Sequence, residues 1–380
     1  MINFKKTAMV ALLVTGSAMN SSAWATSYTF TDLGTLGGAE SHAFAINNSG
    51  QVVGSATANG VAVWHATVWN GFTATDLGSR GAATAINNAG LVAGYSYNAG
   101  WHATLWNGTT ETLLSGNSTY ATAINDGGLV AGYTYDNIAR ATVWNGTTAT
   151  DLQSGTTFSY AIAINNNGLV AGYSQVNFNS ATEHATLWNG TTKTDLGTLG
   201  GTDSYARAIN NAGLVVGNSY ITGDANEHAT VWNGTTATDL GTLGGNYSAA
   251  FAINNAGLVA GIAQTTYGAY HATLWNGTIA TDLNSFLDEN TGWVMTAATG
   301  INDNGWIVGD ATNINSGLTH AFLLSPTTVP VPGAVWLFGS GLIGLLDEAA
   351  NAEKAGLAEV RVKHPSYDFN TLNEMAQMKH

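Results

Sequence analysis

Ala206-Arg207-Ala208-Ile209-Asn210-Asn211-Ala212-Gly213-Leu214-Val215-Val216-Gly217, a variable stretch, then His228-Ala229-Thr230-Val231-Trp232-Asn233-Gly234-Thr235-Thr236-Ala237-Thr238-Asp239-Leu240 is a sentence that the chain repeats. Its isoleucine recurs at Ile46, Ile86, Ile124, Ile164, Ile209, Ile253 and Ile301, seven copies at intervals of 40, 38, 40, 45, 44 and 48 residues. A period near 40 with several short apolar runs per copy marks a propeller or a solenoid. Each copy parses into four strands. Strand a is the Ala-x-Ala-Ile-Asn run, and strand b is Leu-Val-Ala-Gly-Tyr or a variant of it. Strand c is His-Ala-Thr-Leu-Trp, and strand d is Thr-x-Thr-Asp-Leu. Asn-Ala-Gly joins a to b and Asn-Gly joins c to d, residues that tolerate the positive φ of tight hairpins.

The ends of the array decide between ring and solenoid. A first strand d, residues 28–33, precedes any strand a, and the last repeat stops after its strand c at residues 320–324. The N-terminal strand therefore completes the last blade, and closure removes two sheet edges. An open solenoid gives no reason for this offset. The expected fold is all-β, a seven-bladed β-propeller of four-stranded antiparallel blades over residues 26–325. Strand a then lies innermost, where its alanines suit the crowded axis. The strand c tryptophans (Trp69, Trp106, Trp144, Trp188, Trp232, Trp275) fill the wider space between blades.

In this strand order the a–b and c–d turns share one face, and the b–c and d–a connections share the other. The first face has short, nearly identical turns; the second carries the variation. Binding residues sit on loops held by a rigid scaffold. The candidate ligand-binding residues are therefore Tyr97, Trp101, Tyr135, Asp136, Phe178, Glu183, Tyr220, Asp224, Glu227, Tyr267 and Tyr270. Aromatics beside acids suit glycan stacking and hydrogen bonding, although the same rings can simply pack loops onto blades.

Other chemistry is thin. Six histidines open strand c, with Arg140 in the seventh place. Spread around a ring they cannot share an ion at bonds of about 2 Å, and a hydrogen bond to a neighbouring turn is their expected role. The periodic strand d aspartates are expected to bond backbone amides of the adjoining turn. Asn302-Asp303-Asn304-Gly305 sits at an a–b turn and lacks the spacing of a calcium loop. No catalytic residue, metal site or cofactor is predicted, and no Walker, Rossmann or nucleophile-elbow motif is present. The chain has no Cys, which excludes disulfides and thiolate sites. Its net charge is −14 with no basic cluster in the repeats, which argues against nucleic acid as partner. Only 9% of residues are charged, while 12 Trp, 14 Tyr and 11 Phe are enough to build a core.

The repeats resemble the bacterial HAF extracellular repeat, through His42-Ala43-Phe44, His320-Ala321-Phe322 and the Asp-Leu-Gly-Thr-Leu-Gly-Gly segments 32–38, 195–201 and 239–245. That resemblance implies an exported protein and supplies no catalytic residues. The N-terminus agrees. Lys5 and Lys6 precede an apolar run, and Ala23-Trp24-Ala25 fits a small-x-small cleavage site, so residues 1–25 read as a signal peptide cut after Ala25. Near the other end, Val329-Pro330-Val331-Pro332 and the apolar run 333–346 resemble a PEP-CTERM sorting signal. The resemblance implies the export machinery and an exosortase-like protease as partners, with transient inner-membrane anchoring. It departs where a basic cluster belongs: Asp347-Glu348 follows the apolar run, and a polar tail extends to His380. The domain reading is signal peptide 1–25, propeller 26–325, Pro-rich linker 326–332, apolar helix 333–346 and atypical tail 347–380, with a short helix at the C-terminal end. The expected function is an exported surface or matrix module, binding or structural, with extracellular polysaccharide as the candidate ligand. The alternatives are a glycan-active propeller enzyme and a self-associating matrix protein.

Overall fold

A glycine dictates the first pairing in every repeat. The fourth residue of each strand b is Gly54, Gly94, Gly132, Gly172, Gly217, Gly261 or Gly309. A Cβ at any of the seven would sit 1.9–2.1 Å from a carbonyl oxygen of strand a. Strands a and b approach this closely because strand a carries a bulge at that point, between Ala43 and Ala45 in the first repeat and between Ala161 and Ala163 in the fourth.

The computed structural model describes residues 27–327 apart from 154–156, 179–180 and 289. Among the described residues it is all-β but for one 3-10 turn, Leu283–Phe286. The described residues form five four-stranded antiparallel sheets and one of seven strands. The seven-stranded sheet arises because Thr73–Ile86 runs unbroken from strand d of the first repeat into strand a of the second. Its first half pairs with Val61–Asn70 and its second half with Val92–Tyr97. Each other sheet is one repeat in the order a-b-c-d. In the last of these, Tyr28–Asp32 pairs antiparallel with Thr319–Pro326 and supplies the fourth strand. The signal peptide, the motif Val329-Pro330-Val331-Pro332, the apolar run 333–346 and the tail lie outside the described residues. No described helix is long and apolar enough to cross a membrane.

The core lies between sheets. Seven apolar clusters each join consecutive repeats. In one, Val53, Ala66 and Leu77 of the first repeat meet Ala83, Val92 and Trp106 of the second. The cluster of Leu33, Val52 and Trp69 with Val308, Ala321 and Leu323 joins the first repeat to the last. All six strand c tryptophans are fully buried; in the seventh repeat Leu324 holds their register opposite Ile307, with the buried Phe322 beside it in the same cluster. Burial of a large aromatic contributes on the order of 2–3 kcal/mol. The alanines beside them let strands of neighbouring sheets approach closely. Buried hydroxyls add a clasp: the amides of Ala103, Ala141, Ala185, Ala229 and Ala321 each donate to a Ser or Thr opening strand a of the next repeat.

The periodic polar residues mostly pair with each other. Nδ1 of His65, His184, His228 and His271 bonds the strand d aspartate of its own repeat at 2.6–2.9 Å, and His320 bonds Asp32 at 3.0 Å. The expected bond to a neighbouring connection is made by His102, whose Nδ1 meets the Gly116 carbonyl, and also by His184 Nε2 to the Thr202 carbonyl and by His320 to the backbone of Ala39. In the His102 repeat, Leu113 occupies the aspartate's register opposite Thr104. Arg140 keeps the pairing, 4.0 Å from Asp151. The aspartates also accept turn amides as expected, from Gly34, Gly78, Gln153, Gly197, Gly241 and Asn284.

Candidate functional site

The a–b turns and the opposite ends of the same strands present different chemistry. On the turn side, a buried asparagine follows each repeat isoleucine. Its Nδ2 donates to the backbone carbonyl of the equivalent asparagine in the next repeat: Asn47 to Asn87, then 125, 165, 210, 254 and 302. Asn302 donates back to Asn47, which completes a ring. A second ring lies beside it. The amides of Asn48, Asn88, Asp126, Asn166, Asn211 and Asn255 each donate to the next side chain's Oδ1, and Asp303 donates to Asn48. These rings enclose a polar cavity of about 230 Å³ lined by the isoleucines and both asparagine positions. Asp126 and Asp303 have their carboxyl groups raised by burial, but hydrogen bonds from Asn88 and Asn166, and from Asn255 and Asn48, outweigh it and hold them below the usual range. Nearly every polar group described here is already used by the fold.

At the other end of strands a and b the side chains are aromatic. Tyr95, Tyr120, Tyr133, Tyr160, Tyr173 and Tyr205 form a continuous ladder, each ring 4.9–5.3 Å from the next. Cross-strand partners in one sheet stack, with interplanar angles of 23° for Tyr120–Tyr133 and 28° for Tyr160–Tyr173. Pairs that span two repeats meet edge to face, at 67°, 72° and 84°. The geometry follows from register: Tyr120 lies opposite Tyr133, and Tyr160 opposite Tyr173. Each such pair contributes about 0.5–1.5 kcal/mol beyond its buried area. The rings are half-buried, so each keeps surface for a ligand. Burial, and then the neighbouring tyrosines, push Tyr133 and Tyr173 up to about 12. Their hydroxyls therefore stay protonated and neutral.

The ladder has unlike ends. At the Tyr205 end stand Glu183, Asp203 and Glu227. Burial and then the Asp203 charge push the Glu183 carboxyl up, against a hydrogen bond from Tyr205. Burial and these carboxylates raise the Tyr205 phenol in turn. Glu227 accepts from Asn218 Nδ2 at 2.8 Å and from the Tyr220 hydroxyl. Arg207 donates from Nε to Asn218 Oδ1 and lies over the Phe251 ring. At the Tyr95 end, Trp101 meets Tyr95 and Tyr97 edge-on, and Arg80 lies over both Tyr97 and Trp101. A cavity of about 490 Å³ opens there between the first two repeats. On its rim His42 Nδ1 donates to Asp310 Oδ2 at 2.9 Å, and that hydrogen bond raises the imidazole's basicity against its burial.

Of the sequence-predicted residues, Tyr97 and Trp101 stand together, and Glu183, Tyr220 and Glu227 gather around Tyr205. Tyr270 makes an edge contact with Tyr247. Asp224 serves a turn: it has φ of 53° and accepts from the Thr202 amide. Tyr135, Asp136, Phe178 and Tyr267 are exposed and make no ring contact among the described residues. The ladder tyrosines lie on strands a and b, not on the variable loops where binding residues were expected. Their signal was present as the tyrosine after Ala-Gly in strand b and the Ser-Tyr-Ala or Thr-Tyr-Ala opening of strand a. Among the described residues no group of three or more His, Asp or Glu is placed to hold a metal ion.

No family model matches the sequence, and no curated protein matches it. Solved structures show likeness at low identity. TolB from Acinetobacter baumannii is 8% identical with a TM-score of 0.43, over 73% of this chain and 63% of that one. The β-propeller domain of the trilobed protease from Pyrococcus furiosus is 12% identical with a TM-score of 0.45, over 64% and 83%. A Trypanosoma rangeli sialidase bound to the inhibitor DANA is 11% identical with a TM-score of 0.38, over 82% and 58%. The chain thus spans less than two thirds of the TolB structure.

Proposed function

We propose that the seven repeats close into a seven-bladed β-propeller whose aromatic face binds carbohydrate. Closure is supported by the two asparagine rings that return to their first member, by the apolar cluster joining last repeat to first, and by the N-terminal strand in the last sheet. The binding reading rests on one observation, the half-exposed ladder from Trp101 to Tyr205. Sugar rings stack on such surfaces through their C–H faces, while neutral hydroxyls and the carboxylates of Glu183 and Glu227 meet sugar hydroxyls. The signal-like N-terminus and the Val-Pro-Val-Pro segment support export to the cell surface or matrix, where the partner is extracellular polysaccharide.

Affinity electrophoresis through gels containing neutral polysaccharides tests the ladder. The double variant Tyr133→Ala/Tyr160→Ala is expected to lose at least tenfold in affinity for whichever polysaccharide retards the protein. Unchanged retardation, or no retardation in any gel, sinks the reading. Intact mass from medium, envelope and cell extract tests the sorting signal, which requires an exported form ending near Pro332. The raised Glu183 carboxyl beside Asp203 favours one second reading, proton donation to a glycosidic oxygen. Release of reducing ends that Glu183→Gln abolishes would establish it.

A further inference from the structure

We propose that the cavity between the first two repeats is a subsite for a sugar bearing one negative charge, received by Arg80. The inference rests on the carbohydrate reading above and names what the ladder's Tyr95 end selects. The cavity exists because small side chains replace two ladder rings. Tyr133 and Tyr160 meet edge to face across the junction of the third and fourth repeats. The same positions at the first junction are Ser55 and Ala82, and both line the cavity. Its walls are instead Phe44, Trp64, Tyr95 and Trp101. A volume of about 490 Å³ falls within the roughly 300–1,000 Å³ of small-molecule sites, and a few polar groups on aromatic walls is their usual composition.

The charge argument singles out Arg80. Four cationic Lys or Arg residues fall among those described, Arg80, Arg140, Lys193 and Arg207. Arg140 pairs with Asp151, Lys193 bonds the Gln175 carbonyl, and Arg207 bonds Asn218. Arg80 has no carboxylate within ion-pair distance among the described residues. Its guanidinium is 5.2 Å from the Tyr97 ring centre and 5.9 Å from that of Trp101. Stacking on two rings fixes the fork without consuming its donors, so it is prepared for a carboxylate or sulfate in bidentate contact. His42 adds a polar group beside it, turned by Asp310. A polyanion does not suit the rest of the face: the chain's net charge is −14, and Glu183, Asp203 and Glu227 stand at the ladder's far end. The ligand that fits is a mostly neutral glycan with a single anionic residue seated at Arg80.

Calorimetric titration with methyl glucuronide, methyl glucoside and methyl glucoside 6-sulfate tests this on the full chain. At least one anionic sugar is expected to bind about tenfold more tightly than the neutral glucoside, and the tighter of the two identifies the charged group. Arg80→Gln should bring it level with the glucoside, and Arg80→Lys should restore part of the preference. Arg80 is exposed, so an unchanged thermal midpoint verifies the fold of both variants. Equal affinity for all three sugars, or a preference that survives Arg80→Gln, overturns the proposal. A protein that holds the anionic sugar through Arg80 yet is retarded by no neutral polysaccharide keeps this subsite and overturns the ladder reading.

Discussion

The asparagine face and the aromatic face are built by the same strands, yet the repeats agree on one and disagree on the other. Each buried asparagine makes the same bond to the next repeat, through seven junctions and back to the first. At the opposite end, the equivalent strand a position holds His42, Ala82, Tyr120, Tyr160, Tyr205, Ala249 and Ala297. A ring of identical bonds permits no exceptions, because one missing link orphans buried groups on both sides. An aromatic position can lose its ring and open a cavity, as Ser55 and Ala82 do. The contrast locates stability on the first face and, on the carbohydrate reading proposed above, selectivity on the second.

The harshest break should come from a strand b glycine, which both faces share. Gly172→Ala puts a Cβ 1.9 Å from the Tyr160 carbonyl oxygen, where only backbone movement relieves it. We expect a loss of about 3–5 kcal/mol in urea denaturation. A cost under 1 kcal/mol would show that the bulge relaxes easily. Next comes Asn165→Ala, on the asparagine face alone. Asn165 donates to the Asn210 carbonyl and accepts from the amides of Asn167 and Leu169. Its loss should cost about 2–3 kcal/mol, and the proposed polysaccharide retardation should be unchanged once the protein is folded. A variant as stable as the parent would mean the ring is ornament.

The seam where the N-terminal strand joins the last repeat gives a smaller, pH-dependent effect. The hydrogen bond to Asp32 raises His320 against the opposing influence of burial. Burial alone raises Asp32, but the bonds from His320 and the Gly34 amide outweigh it and hold the carboxyl low. The His320 contribution is complete below its ordinary value of 6.5 and fades as pH rises through the higher folded value. The Asp32 contribution is complete above 3.8 and fades as pH falls through the lower folded value. The seam is therefore tightest between those two values. His320→Ala should cost about 1 kcal/mol at pH 5.5 and less at pH 8, since both groups are partly exposed and screened. Equal cost at both pH values would reduce the pair to packing.

Much of this was legible in the sequence. The Ile-Asn spacing counted the repeats, and the stray first strand d foretold the pairing of Tyr28–Asp32 with Thr319–Pro326. Asn-Gly turns placed the hairpins. The sequence was less informative about which periodic groups meet. His184 and Asp195 lie 11 residues apart on adjacent strands, and only the register of Glu183–Asn189 with Thr192–Asp195 brings them together. The ladder was hidden for a similar reason. Its contacts cross repeats, as between Tyr95 and Tyr120, and no period within one repeat reports a contact between two.

The gentlest test separates exposed aromatics from built ones. Tyr267 is 97% exposed and Phe178 is 65% exposed, and neither touches another ring among the described residues. Tyr160 belongs to two ring pairs. Tyr267→Ala and Phe178→Ala should each shift stability by no more than about 0.5 kcal/mol. If the ladder is the binding surface, they should also leave polysaccharide affinity within about twofold, whereas Tyr160→Ala lowers both. A large loss of affinity from Tyr267→Ala with stability intact would move the binding surface outward, from strands a and b to the variable loops. It would leave the ladder as mortar between sheets, so a single exposed tyrosine decides which aromatics the ligand meets.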